Sequence, residues 1–489
     1  MSAVVFTGTG TTVSDIAAIA RKDAALEIGE GVHERLQQAR AILDQAAASG
    51  QQIYGLNTGL GANLKTSVTD GIAEFQQQLV RGRGMGIGPT LPRDVTRAVM
   101  AARLSMLSVG GSGISPGVFD DLLALLNNHV HPVIASIGSI GAGDLVLIAA
   151  IARCLIGEGE AEFEGAVQPS AQALSKAGLA PTRLGPKDGL SLLNASAVSV
   201  GLGALLTIDA ASLFDFQRQA AALSFEALGG NPLILTPAIQ LARPAAGQVE
   251  EAEKLRALLD GSSGSGSAIQ DPLSLRCAAS IHGALAHALA GAREAIEIEL
   301  NSAADNPLVI VGEAKVLSTG NFHTPSLALA FETLGLAIAQ AALASAARFI
   351  QLTGSGRNGL PRYLTPIGGA SAGFVPLQKT VAAVVATIRH KANPVLLDFL
   401  SVSEGVEDHA TQTPLAVSKC GEIVDLWSHI VACEMLAGAQ GIDLKSDQHY
   451  GQGTLHTYRF VRETALKLDE DRALGADVSV LARRLLTKS

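Results

Sequence analysis

Residues 138–145 read Gly138-Ser139-Ile140-Gly141-Ala142-Gly143-Asp144-Leu145. The stretch is a loop that leads into an apolar helical run through Ile156. Gly141-Ala142-Gly143 carries no side-chain hydroxyl, and Ser139, the nearest one in sequence, is followed by the bulky, branched Ile140.

On the N-terminal side, 15–50 has a helical pattern that ends in a Ser-Gly stop. Gln52-Ile53-Tyr54-Gly55-Leu56-Asn57-Thr58-Gly59-Leu60-Gly61 follows as a glycine-rich loop, whose glycines license unusual backbone angles and close approach to a ligand. Helices are expected over 71–82, 93–109 and 115–128, the last begun by Pro116. On the C-terminal side, 158–168 alternates as a short hairpin and 188–216 is a long apolar helical run. Further helices are expected over 216–228, 247–259, 274–300, 325–352, 375–390 and 414–438. The break Asp260-Gly261-Ser262-Ser263-Gly264-Ser265-Gly266-Ser267 reads as a flexible loop. It stands just before Gln270-Asp271-Pro272, where a mobile lid would make sense. The helical period dominates throughout, so the fold class is all-α with few, short strands.

Composition agrees. Of 489 residues 48% are apolar but only 4% aromatic, and mean hydropathy is +0.31. The excess is Ala, Leu, Val and Ile, which suits long packed helices with small contact residues. Such apolarity without a membrane span points to surface buried between subunits. The most apolar long run, 326–347, contains Glu332 and Gln340 and reads as a core helix, so no membrane association is expected. Residues 1–15 lack the basic and apolar regions of a signal peptide. Cys154, Cys277, Cys420 and Cys433 make neither a metal nor a disulfide pattern, which suggests a cytoplasmic location and no metal. A net charge of −9 with no basic run argues against a nucleic-acid partner.

Several short motifs carry possible chemistry. Tyr54, among glycines and near a charge that lowers its pKa, could remove a weakly acidic C–H proton, or it could simply bond a backbone carbonyl. In Gln270-Asp271-Pro272-Leu273-Ser274-Leu275-Arg276-Cys277, Arg276 falls in the first turn of a helix. Its planar guanidinium suits a substrate carboxylate, the bland alternative being a surface ion pair. Asn301-Ser302-Ala303-Ala304-Asp305-Asn306-Pro307 and Gly320-Asn321-Phe322-His323 are amide-rich turns, which turn chemistry alone would explain. Glu407-Asp408-His409 is an acid/base or imidazole-recognition site, or a solvated loop.

Taken in order, Tyr-Gly-Leu-Asn-Thr-Gly, Gly-Ser-Ile-Gly…Gly-Asp-Leu, Leu192-Leu193-Asn194, Gln-Asp-Pro…Ser-Leu-Arg-Cys, Asp-Asn-Pro-Leu, Gly-Asn-Phe-His and Glu-Asp-His resemble the aromatic amino acid lyase family over about residues 45–425. The resemblance implies a homotetramer with a long central helical bundle and a smaller, mainly helical N-terminal domain that carries the active-site loops. The domains are expected at 1–210 and 211–489, with each active site built by three subunits. It also implies a small amino acid or betaine as substrate. Tyr54 is implied as the β-proton base, Arg276 as the carboxylate ligand with Asn321 beside it, and Asn194 and Gln270 as further site residues. Glu407 is implied to contact an imidazole-type ring, since phenylalanine lyases carry Gln there.

Four departures from the family pattern matter. The family forms a methylidene-imidazolone electrophile from Ala-Ser-Gly, and the serine is absent between Ala142 and Gly143, so no such cofactor is expected. Val146-Leu147-Ile148-Ala149-Ala150 follows Asp144-Leu145 where histidine lyases show Pro and His. Leu273 replaces a second active-site tyrosine. Arg83 and Met85 replace ring-side residues, Arg83 in the histidine position. A quaternary trimethylammonium leaves as a neutral amine without prior activation. The expected reaction is therefore β-elimination of trimethylamine from a betaine such as ergothioneine, with Arg83 stabilising ring or sulfur charge and the faces of Tyr54 and Phe322 meeting the cation. The rivals are a conventional histidine ammonia-lyase and a non-catalytic tetrameric binding protein.

Overall fold

The computed structural model describes residues 3–68, 71–264, 266, 269–354, 356–397, 399–445 and 449–486. Ser265 and Ser267 of the glycine/serine loop lie outside them. Among the described residues there are eighteen α-helices, and the strands are only two to four residues long. The fold is all-α, as the helical period requires.

Two compact units are present. The first comprises 1–208, 293–330 and 394–418, and the second comprises 209–292, 331–393 and 419–489. In the first unit, helix Arg93–Ser108 is buried over almost its whole circumference. Helix Val13–Arg21 packs on it and is opened by a capping box in which Thr12 and Asp15 satisfy each other's backbone amides. A Cβ on Gly201 would stand 2.6 Å from the Val99 amide nitrogen, so only glycine allows this close helix crossing. Short sheets trim the unit: Val4–Phe6 pairs parallel with Leu26–Ile28, and Glu160–Phe163 lies between His131–Pro132 and Ala166–Pro169.

The core of the second unit is held by buried polar pairs as well as apolar packing. Trp427 donates to Gln217 Oε1 at 2.7 Å. Arg348 and Glu434 pair at 2.5 Å with both side chains fully buried, and Ser224 donates to the same carboxylate. Removing one partner of such a pair would strand a buried charge.

Three helix boundaries differ from expectation. The segment 15–50 holds two helices, Val13–Arg21 and Val32–Ala48, because Leu26–Ile28 leaves to pair with Val4–Phe6. The run 188–216 breaks after Leu193, where Asn194 adopts φ −84° and ψ 76°. It then resumes as one helix, Ala197–Ala227, with no break near 216. The run 274–300 is split at Cys277 into Leu273–Arg276 and Ala278–Leu300, which puts Arg276 at the end of a short helix. The helical stretch Asp188–Ala227 and helix Pro325–Leu352 are long and apolar enough to cross a membrane by length and composition. Most of each apolar stretch is buried, as in core helices.

Candidate active site

The site lies in the first unit, where three loops meet. The first carries Tyr54. Asn57 shapes it, accepting from the Ile53 amide at 2.7 Å and donating to the Gln51 carbonyl at 2.8 Å. Gly55 has φ +68°, and any Cβ there would run into Leu190. Buried Gln76 ties this loop to the helix below, donating to the Gly55 carbonyl at 2.8 Å and accepting from the Leu190 amide at 3.2 Å. The Tyr54 phenol thereby faces Gly61, whose amide donates to its oxygen at 3.0 Å.

The second loop is 138–145. Gly141 and Gly143 both have positive φ, 84° and 73°. A side chain on Gly141 would collide with Thr411. The Asp144 carboxylate is wholly buried, and burial pushes its pKa up. It accepts from Ser139 Oγ at 2.8 Å and from the amide and hydroxyl of Ser199 at 3.0 and 3.1 Å, which oppose that shift. Asn194 is buried beside the loop and donates to the Asn306 carbonyl at 3.0 Å.

The third loop carries Glu407. Its Oε2 accepts from Ser403 Oγ at 2.6 Å. Ser403 and Glu404 sit in the left-handed region at φ 53° and 56°, a conformation that side chains resist and that tends to mark functional loops.

A cavity of about 280 Å³ opens between these loops. It is lined by Tyr54, Arg83, Ala142, Asn194, Phe322 and Glu407, together with Asn306 and Ser403. A wider cavity of about 770 Å³ shares Tyr54, Phe322 and Glu407 and takes in Lys65. Burial pushes the Arg83 guanidinium below its usual value, while Tyr54 and Glu407 act to raise it. A cation beside a phenol and a carboxylate, in a pocket with an amide aimed at the phenol oxygen, can stabilise negative charge that develops during a reaction and hold an electron-rich ring.

Not every expected residue lines this cavity. Asn321 is exposed in its turn, its amide donating to Thr319 Oγ1 at 2.9 Å. Met85 is 67% exposed. Gln270 and Arg276 belong to the second unit. There Gln270 is exposed, and Arg276 Nε is buried with no hydrogen-bond partner among the described residues. Conversely, Asn306, Ser403 and Gln76 shape the site without having been singled out. Asn306 stood inside a quoted turn, whereas Ser403 and Gln76 give no signal in the sequence.

A profile of the aromatic amino acid lyase family matches residues 11–463. The chain belongs to that family. This aromatic amino acid lyase is 37% identical to histidine ammonia-lyase of Treponema denticola, over 97% of this chain and 95% of that one. It is 35% identical to histidine ammonia-lyase of Alkaliphilus oremlandii, over 100% and 97%. Among solved structures it is similar to ergothionase from Treponema denticola, an ergothioneine-degrading enzyme crystallised with desmethyl-ergothioneine sulfonic acid. The TM-score is 0.96 at 32% identity, covering 100% of this chain and 99% of that one. It also matches histidine ammonia-lyase from Trypanosoma cruzi, with a TM-score of 0.91 at 30% identity over 99% and 93%. The lyase is thus an enzyme that breaks carbon–nitrogen bonds, and the non-catalytic rival falls away.

Proposed function

We propose that this lyase eliminates trimethylamine from a trimethylammonium betaine of the histidine type, ergothioneine fitting best. The observation that carries the reading is the loop Gly141-Ala142-Gly143, in which no serine stands between Ala142 and Gly143. Ser139, the nearest hydroxyl in sequence, is engaged with Asp144 and receives the Gly141 amide at 3.1 Å, and it precedes Ile140. These residues do not fit a methylidene-imidazolone, and no step is assigned to one.

The reaction then needs only a base, an anchored carboxylate and a partner for the ring. Tyr54, as phenolate, takes the β-proton. The C–H electron pair becomes the Cα–Cβ double bond, the Cα–N bond breaks, and trimethylamine leaves as a neutral molecule while the proton stays on Tyr54. Arg83 balances charge on the ring and its sulfur, and Glu407 holds the ring. Phe322 and Tyr54 offer aromatic faces to the quaternary cation. Asn194 lines the reacting end.

Gln270 and Arg276 complete the site from neighbouring subunits of a cytoplasmic homotetramer, while Asn321 and Met85, sequence neighbours of Phe322 and Arg83, flank it. Two observations support this part. Arg276 Nε is buried with no hydrogen-bond partner among the described residues. Leu336, Leu343 and Ile350 are exposed at seven-residue spacing along helix Pro325–Leu352, a pattern suited to helix association between copies. Light scattering should give about four times the 50.1 kDa chain mass; a monomer would refute the assembly.

Histidine is the alternative substrate, favoured by the names of the sequence relatives. The identity of the released amine separates the two. Trimethylamine in the headspace over an ergothioneine reaction supports the proposal, and ammonia from histidine with no trimethylamine supports the alternative.

A further inference from the structure

The turn Gly320–His323 and the loop Glu407–Thr413 both face the 138–145 loop, and they are stitched to it and to each other. Ala142 and His323 form an isolated antiparallel bridge. Thr411 Oγ1 donates to the Gly141 carbonyl at 2.9 Å, and the Gln412 amide donates to the Ile140 carbonyl at 2.9 Å. Thr324 and Thr413 share a hydroxyl contact at 3.0 Å. All of these contacts are buried or made by the backbone.

One stitch is different. His323 Nε2 lies 2.8 Å from His409 Nδ1, with the ring centroids 5.0 Å apart and the planes inclined at 66°. It is a side-chain bond at the surface between residues 86 apart in sequence. His323 directly follows Phe322, and His409 stands two residues after Glu407; both Phe322 and Glu407 line the cavity. Neither imidazole lines it.

We infer that His323 and His409 form a latch that sets the separation of Phe322 and Glu407, and so act as positioning residues for the bound substrate. The roles of Glu407 toward the ring and of Phe322 toward the cation rest on the proposed function; the latch itself does not. An imidazole–imidazole hydrogen bond needs one ring to donate and the other to accept, so at least one ring is neutral. Burial, and then His409 itself, push the His323 pKa down, which favours that state. Neither imidazole is needed for the core, because the threonine and backbone stitches hold the loops together at depth. A group placed this way adjusts a binding wall without deciding whether the loop folds.

The test is a double-mutant cycle with His323→Ala, His409→Ala and the pair, read by steady-state kinetics on ergothioneine and by hydrogen exchange without substrate. Each single variant should raise KM about tenfold, the scale of one hydrogen bond, with kcat within about threefold of the parent. The double variant should be no worse than the worse single. Exchange should quicken at 407–413 in His323→Ala and at 320–323 in His409→Ala. Unchanged exchange across the partner loop, or losses that add in the double variant, would overturn the latch. Should an alanine variant fail to fold, His323→Leu or His409→Leu, which fills the space but makes no hydrogen bond, replaces it in the cycle with the same readings. Wild-type protein inert toward ergothioneine would refute the functional reading instead, and the exchange measurements would still decide the latch.

Discussion

The amide of Gly61 donates to the phenol oxygen of Tyr54 at 3.0 Å, seven residues back along the same loop. That bond leaves the oxygen as acceptor, the arrangement a phenolate prefers. It turns the phenol toward a cavity that also holds Arg83 and Glu407.

Tyr54→Phe should therefore lower kcat by about 100-fold or more, the usual scale for removing a general base. The melting temperature should barely move, since Phe fills the same space and the Gly61 amide lies at the cavity edge. Near-normal turnover would assign proton removal to another residue.

Arg276→Lys tests the carboxylate anchor. A lysine keeps the charge but loses the planar fork, so KM should rise about tenfold with a smaller fall in kcat. An equal loss in kcat with KM unchanged would mean that Arg276 acts only in the transition state.

Intact mass checks the loop chemistry. With no hydroxyl between Ala142 and Gly143, the purified protein should weigh what its sequence encodes, and borohydride should leave activity intact. A deficit of two waters would reveal an electrophile.

A fourth prediction concerns acid stability. Arg97 donates to His131 Nε2 at 3.2 Å, so Nδ1 carries the proton and meets Glu162 at 2.9 Å. Burial is the main cause holding His131 down, from 6.5 to about 4. The unfolded chain thus binds this proton more readily than the folded one. The His131 contribution is fully present above pH 6.5 and is lost as pH falls toward about 4. The melting temperature should drop by a few degrees across that window, and His131→Gln should flatten the drop. An identical slope in the variant would place the acid sensitivity elsewhere.

Much of this was legible before any coordinates. Helix Pro325–Leu352 begins and ends where its apolar period does, and the Tyr54 glycines announce a loop shaped around something. What was hidden has physical reasons. Ala24, Ala25 and Leu26 are good helix formers and mask a strand, because only the distant partner Val4–Phe6 makes Leu26–Ile28 extended. Asn194 breaks a helical run that is mostly apolar around it, since its amide is drawn to the Asn306 carbonyl 112 residues away. Ser403 and Gln76 act through contacts that no local pattern encodes. The His323–His409 bond joins two motifs that were readable singly but not as a pair.

The central claim is elimination from a quaternary amine without an electrophile. Purified protein should be mixed separately with histidine, hercynine and ergothioneine, and the new conjugated double bond followed by ultraviolet absorbance. The account predicts turnover of ergothioneine, with histidine left intact. Turnover of histidine alone would contradict it and make the protein a conventional histidine ammonia-lyase.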